Sequence, residues 1–115
     1  MDIRTEERPW GSFTEFIKNE KATVKIIKVE KEGKLSLQYH KNRDEFWKVL
    51  KGNPQITIGG DVIDAKEDDE FFIERGSLHR IYAPNDEVNV LEISLGEFDE
   101  RDIVRIEDEY GRVKD

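Results

Sequence analysis

The chain predicts an all-β fold, a single antiparallel β-barrel or jelly roll, on three observations. Short runs of β-branched and aromatic residues alternate with polar ones at the period of two that a half-buried strand requires. Gly, Pro, Asn and Asp punctuate these runs every few residues, which is turn chemistry. At 115 residues, with no tandem repeat or low-complexity linker, the chain has the size of one domain, so residues 1–115 read as a single unit.

The elements follow in order. Residues 22–30, Ala-Thr-Val-Lys-Ile-Ile-Lys-Val-Glu, give the first strong strand signal, and Lys31-Glu32-Gly33 turns the chain towards 35–40, Leu-Ser-Leu-Gln-Tyr-His. Segments 46–50, 55–58, 61–63, 70–73, 79–83 and 88–95 continue the series. Gly59-Gly60 marks a hairpin between two of them, because a two-residue turn needs positive φ. The tail from Asp99 to Arg112 is expected as an irregular segment or a short helix. The acidic runs at 64–70 and 97–102 read as solvated loops, since neither has the spaced ligands and closing glutamate of a calcium loop.

Composition removes several function classes. A formal net charge of -8 argues against a nucleic-acid or anionic-membrane surface, which clustered Lys and Arg would have to supply. A few arginines can still build a local pocket for a small anion. With no cysteine, disulfides, thiolate clusters and cysteine nucleophiles are excluded. The start, Met-Asp-Ile-Arg-Thr-Glu-Glu-Arg, has no apolar leader core and no later run reaches membrane-spanning length, so a cytoplasmic location is expected. Exposed sheet edges invite pairing, so a homodimer is expected as well.

The chemistry concentrates around the two histidines, His40 and His79. Residues two apart on a strand share a face, so Gln38 and His40 project together, and Glu45 can return beside them after a short bend. Two imidazoles and two oxygen donors suit a divalent first-row ion, with zinc the expected one. Gln38 is the weakest donor and can instead orient a ligand. Arg8, Arg43 and Arg112 are the candidates for a sugar phosphate, because guanidinium matches phosphate oxygens bidentately. Trp10 and Trp47 are expected in the core or in a pocket wall.

Gly33-x(4)-Gln38-x-His40-x(4)-Glu45-x(6)-Gly52 followed by Gly76-x(2)-His79 resembles the paired motifs of the cupins, small antiparallel β-barrels with an interior metal. Arg8-Pro9-Trp10-Gly11, Arg43-x-Glu45-x-Trp47 and Asp102-Ile103-Val104-Arg105-x-Glu107-Asp108-x-Tyr110-Gly111-Arg112 are similar to the type II phosphomannose isomerases. In that family the cupin often ends a longer protein with a mannose-1-phosphate guanylyltransferase domain. The chain departs from the family pattern at His40-Lys41-Asn42, where three successive histidines are usual, and at Phe46, where another is usual. Glu74-Arg75 replaces Pro-Ala, and Ala83 stands where an asparagine is expected.

The resemblance implies a stand-alone, metal-dependent interconversion of mannose 6-phosphate and fructose 6-phosphate, with a small phosphosugar as partner. No catalytic base is assigned; Lys34, Lys48 and Glu92 are the basic groups considered. Two alternatives stay open: a cupin that binds metal and sugar phosphate without turnover, and another metal-dependent cupin enzyme such as an epimerase-like protein or an oxygenase.

Overall fold

The computed structural model describes residues 1–112. Among these residues there are eleven strands and no helix: β1 Arg4–Arg8, β2 Gly11–Glu15, β3 Ala22–Val29, β4 Leu37–Tyr39, β5 Arg43–Lys51, β6 Gln55–Ile58, β7 Asp61–Asp64, β8 Glu70–Ile73, β9 His79–Tyr82, β10 Val88–Gly96 and β11 Val104–Glu107. They form a four-stranded sheet in the order β3-β10-β5-β8, a five-stranded sheet in the order β11-β4-β9-β6-β7, and the hairpin β1-β2. Every pairing is antiparallel. The two larger sheets make the two layers of a jelly roll; they do not close into a continuous barrel.

Register decides which side chains meet between the layers. In the four-stranded sheet, Glu92 of β10 lies between Lys25 of β3 and Trp47 of β5, and Trp47 pairs in turn with Phe71 of β8. One step along, Glu45 lies between Ser94 and Ile73. In the five-stranded sheet, Gln38 lies between Arg105 of β11 and His79 of β9, and His79 pairs with Ile58 of β6. Because side chains two apart share a face, these rows share the inner faces with the core formed by Val49, Ile56, Ile73, Ile81, Val88 and Val90, all essentially buried. The apolar half of the interior supplies burial; the polar half holds the site.

Two expectations change here. The tail is neither helical nor wholly irregular: Val104-Arg-Ile-Glu alternates β-branched and charged residues and pairs with β4 as edge strand β11. The hairpin β1-β2 gives no strand signal in the sequence, because Arg-Thr-Glu-Glu-Arg offers no apolar alternation; the ladder from Arg4↔Glu15 to Arg8↔Gly11 and ion pairs of Arg4 with Glu6 and Glu15 accompany it. Trp10, at the tip of that hairpin, is 74% exposed and belongs to neither core nor pocket.

Gly59-Gly60 joins β6 to β7 as the sequence predicts, with Gly59 at φ 59°. Gly52 is the glycine with the tightest surroundings. Its φ is +88°, and a Cβ there would stand 2.4 Å from the Glu87 carbonyl oxygen. Gly52→Ala is therefore expected to cost about 2 kcal/mol, seen as a lower urea midpoint with an unchanged slope.

Candidate metal centre

Three buried polar side chains converge from different elements. His40 follows β4, Glu45 lies on β5 in the opposing sheet, and His79 opens β9. They are 3%, 1% and 2% exposed, and one donor atom from each lies within 4.8 Å of the others. Glu45 Oε1 is 2.9 Å from His40 Nε2 and 3.5 Å from His79 Nε2.

Hydrogen bonds around the trio determine what those atoms present. His40 Nδ1 faces the Asp102 carbonyl oxygen at 2.6 Å, and His79 Nδ1 faces that of Ser77 at 2.9 Å. A carbonyl oxygen can only accept, so each Nδ1 carries the hydrogen, and a neutral ring then presents its lone pair at Nε2. Burial pushes the His79 pKa down, against the raising effect of Glu45, which keeps that ring neutral. For Glu45, burial alone would raise the pKa. The close approach of His40, with His79 and the Arg43 guanidinium beside it, outweighs burial, so the carboxyl is held below its ordinary value. Glu45 Oε1 thus stands against the two Nε2 atoms, and Glu45 Oε1 and His79 Nε2 have no hydrogen-bond partner among the described residues. Buried polar atoms are rarely left this way; a shared cation would satisfy them together.

Neighbouring side chains aim the donors. The Trp47 indole N–H donates to Glu45 Oε2 at 3.2 Å and reaches Glu92 Oε1 at 3.4 Å, leaving Glu45 Oε1 turned to the histidines. The same indole meets the His79 ring edge-on, with centroids 5.4 Å apart. Asp102 ties the tail to the loop after β4, its carboxylate accepting the backbone N–H groups of Lys41 and Asn42 at 2.9 Å each. Those two residues are exposed and contribute backbone rather than side chains here. Asp102 is a site residue that ligand type alone does not single out, although it stands in the quoted C-terminal motif.

The remaining candidates separate. Gln38 shares the wall with His40, but its Oε1 accepts the Ser36 hydroxyl at 2.6 Å. Arg43 is buried: Nη2 donates to His40 Nε2 at 3.1 Å, and Nη1 to the Asp99 carbonyl at 3.2 Å. Arg8 lies on the hairpin, paired with Glu6. Arg112 is paired with Asp108 in the tail, whose pKa the guanidinium lowers to about 2. Neither Arg8 nor Arg112 lines the cavity beside the trio. That cavity, about 250 Å³, is bounded by Gln38, His40 and Arg105 from the five-stranded layer and by Lys25, Arg43 and Glu92 from the four-stranded layer.

The family model described as "Mannose-6-phosphate isomerase C-terminal" matches residues 2–108. The chain belongs to this family. Among curated relatives of this mannose-6-phosphate isomerase C-terminal domain, mannose-1-phosphate guanylyltransferase ManC of Salmonella typhimurium is 36% identical over 108 residues, covering 92% of the chain and 22% of that protein. Alginate biosynthesis protein AlgA of Pseudomonas aeruginosa is 36% identical over 107 residues, covering 91% and 22%. The fold is that of the cupins: a cupin protein from Bacteroides fragilis superposes with a TM-score of 0.61 at 19% identity, over 76% of this chain and 90% of that one.

These relatives correct the expectation of a stand-alone isomerase. The chain spans 22% of ManC and of AlgA, and those proteins are named for guanylyl transfer and alginate biosynthesis, so the matched region is part of a larger protein there. The family resemblance holds, but it does not carry a whole-protein activity onto this segment. No helix among the described residues is long and apolar enough to cross a membrane.

Proposed function

We propose that this domain holds one divalent cation, zinc by its donor set, through His40, Glu45 and His79, and presents it to a small phosphosugar in the adjoining cavity. The observation that supports this most directly is the convergence of an ionised carboxylate oxygen and two imidazole Nε2 atoms whose Nδ1 hydrogens are committed to carbonyls. Nitrogen and oxygen donors in this number leave coordination positions for water or ligand oxygens. When bound, the cation supplies Lewis acidity towards a ligand oxygen. Trp47 holds Glu45, the cation takes the position at His40 Nε2 that Arg43 occupies here, and Gln38, beside His40 in the cavity wall, is placed to serve the ligand.

Two further parts belong to the same proposal. A cytoplasmic place fits the nucleotide-sugar chemistry for which the relatives are named. A homodimer fits edge strand β3, where Val24 and Ile26 are 60% and 64% exposed beside unpaired backbone groups that favour strand addition. Light scattering is expected to give twice the 13.5 kDa chain mass; a monomer at micromolar concentration removes the dimer.

The metal itself is tested by elemental analysis of the chain purified without chelator, followed by stripping and titration with zinc. One equivalent of tightly bound metal is expected, with a thermal midpoint that rises with zinc concentration. Substoichiometric, weak binding that leaves the midpoint unmoved would overturn the centre.

A further inference from the structure

We propose that Lys25 and Arg105 form an anion subsite beside the metal centre, so that the cavity receives a ligand bearing a phosphate group. This rests on the metal-centred reading above and specifies which residues take the charged end of the ligand. The sequence nominates Arg8, Arg43 and Arg112 for that task. The fold places Arg8 and Arg112 elsewhere and ties Arg43 to the Asp99 carbonyl and the Phe98 ring.

Lys25 and Arg105 reach the cavity from opposite layers. Arg105 neighbours Gln38 across the β11-β4 ladder, and Lys25 neighbours Glu92 across β3-β10. Both line the same space as His40. Arg105 Nε is buried without a hydrogen-bond partner among the described residues, an arrangement that a bound oxyanion would complete. Phe98 steadies the opposite cation: Lys25 Nζ lies 4.2 Å from its ring centroid, and Arg43 Cζ 4.5 Å. This is cation–π geometry. Two carboxylates share the cavity. Glu92 is turned to the Trp47 indole at 3.4 Å, and Glu100 is exposed. The cation at the trio would add positive charge on the same side.

The shape of the resulting site is specific. A ligand with an oxygen on the cation and a phosphate between Lys25 and Arg105 is held at two points across the gap between the sheets. A neutral sugar engages only the first point. A phosphate that sits on the cation itself would depend on the metal and be indifferent to Lys25 and Arg105.

The experiment is calorimetric titration of the zinc-loaded chain with mannose 6-phosphate and with mannose, on the parent, Lys25→Gln and Arg105→Gln, with elemental analysis of each. Mannose 6-phosphate is expected to bind at least about tenfold more tightly than mannose. Each variant should lose about tenfold in mannose 6-phosphate affinity, the scale of a charged hydrogen bond, with its metal content and mannose binding unchanged. Equal affinity for the two sugars, or variants that bind mannose 6-phosphate as the parent does, overturns the subsite. If the parent holds no metal, the metal reading fails separately, and inorganic phosphate is titrated into the metal-free chain. Binding lost in Arg105→Gln still supports the subsite, whereas no binding, or binding equal in both, overturns it.

Discussion

Glu45→Gln is expected to reduce metal affinity by more than about a hundredfold, beyond the 10- to 100-fold typical of groups that merely support a ligand. Glu45 is the one anionic donor in the trio, and an amide oxygen is a far weaker partner for a divalent ion. Zinc at about a hundred times its dissociation constant stabilises the parent by about 2.7 kcal/mol, and the variant should gain almost none of this. In chelator the order is expected to change. The amide introduced by Glu45→Gln can donate to a lone pair of His40 or His79, where the parent sets an ionised oxygen 2.9 and 3.5 Å from the two Nε2 atoms. The variant should therefore melt no lower than the parent without metal. Retained stoichiometric zinc in Glu45→Gln would remove Glu45 from the ligand set, and a variant that melts lower in chelator would show the carboxylate to be structural.

Trp47→Ala is expected to produce the largest loss of stability in the chain, about 3–5 kcal/mol. The side chain is 1% exposed, between Glu45 and Val49 on the inner face of β5, and its removal leaves a void between the layers. It also frees Glu45 Oε2 and Glu92 Oε1 from the indole N–H, so metal affinity should fall as well, by about tenfold. Trp47→Phe separates the two roles: it restores most of the packing but not the N–H. Chemical denaturation and zinc titration on both variants provide the check. Equal metal affinity in parent and Trp47→Phe would show that the indole packs the core without aiming the carboxylate.

What the sequence conveys about this fold depends on what each feature requires. Most strands from β3 to β10 announce themselves because they bury one face, and burial writes alternation into residue types; β7, exposed along its length, is read from the Gly59-Gly60 turn before it. Edge strand β11 and the hairpin β1-β2 are harder to read. Their sequences are strongly charged, and their pairing is visible only once the partner strand is placed. The trio is legible because His40 and His79 are the chain's two histidines and Glu45 stands at the motif spacing from the first. Arg105 and Lys25 are not. Each is one cation among 19 Lys and Arg residues, and only the register, Arg105↔Gln38 and Lys25↔Glu92, turns them inward. Arg8 and Arg112 illustrate the reverse case: arginines in recognisable motifs that the fold pairs with Glu6 and Asp108. Trp10 departs from expectation because large apolar area does not by itself secure burial, and the tip of a two-stranded hairpin offers nothing to bury against.

The ladder joining β3 to β10 has a consequence for how the chain acquires its structure. Val29 pairs with Val88 and Ala22 with Leu95, so the early strand must wait for one that leaves the ribosome much later. Closing so long a loop costs entropy before any pairing offsets it, which places folding in the slow class of all-β topologies. During that interval the Val24-Lys-Ile26 segment is an unpaired, β-prone stretch, and the nearby charges of Lys21, Lys25 and Lys28 serve as gatekeepers against self-association. Substituting those lysines with uncharged residues should lower the refolding yield at high protein concentration even where the native state is no less stable.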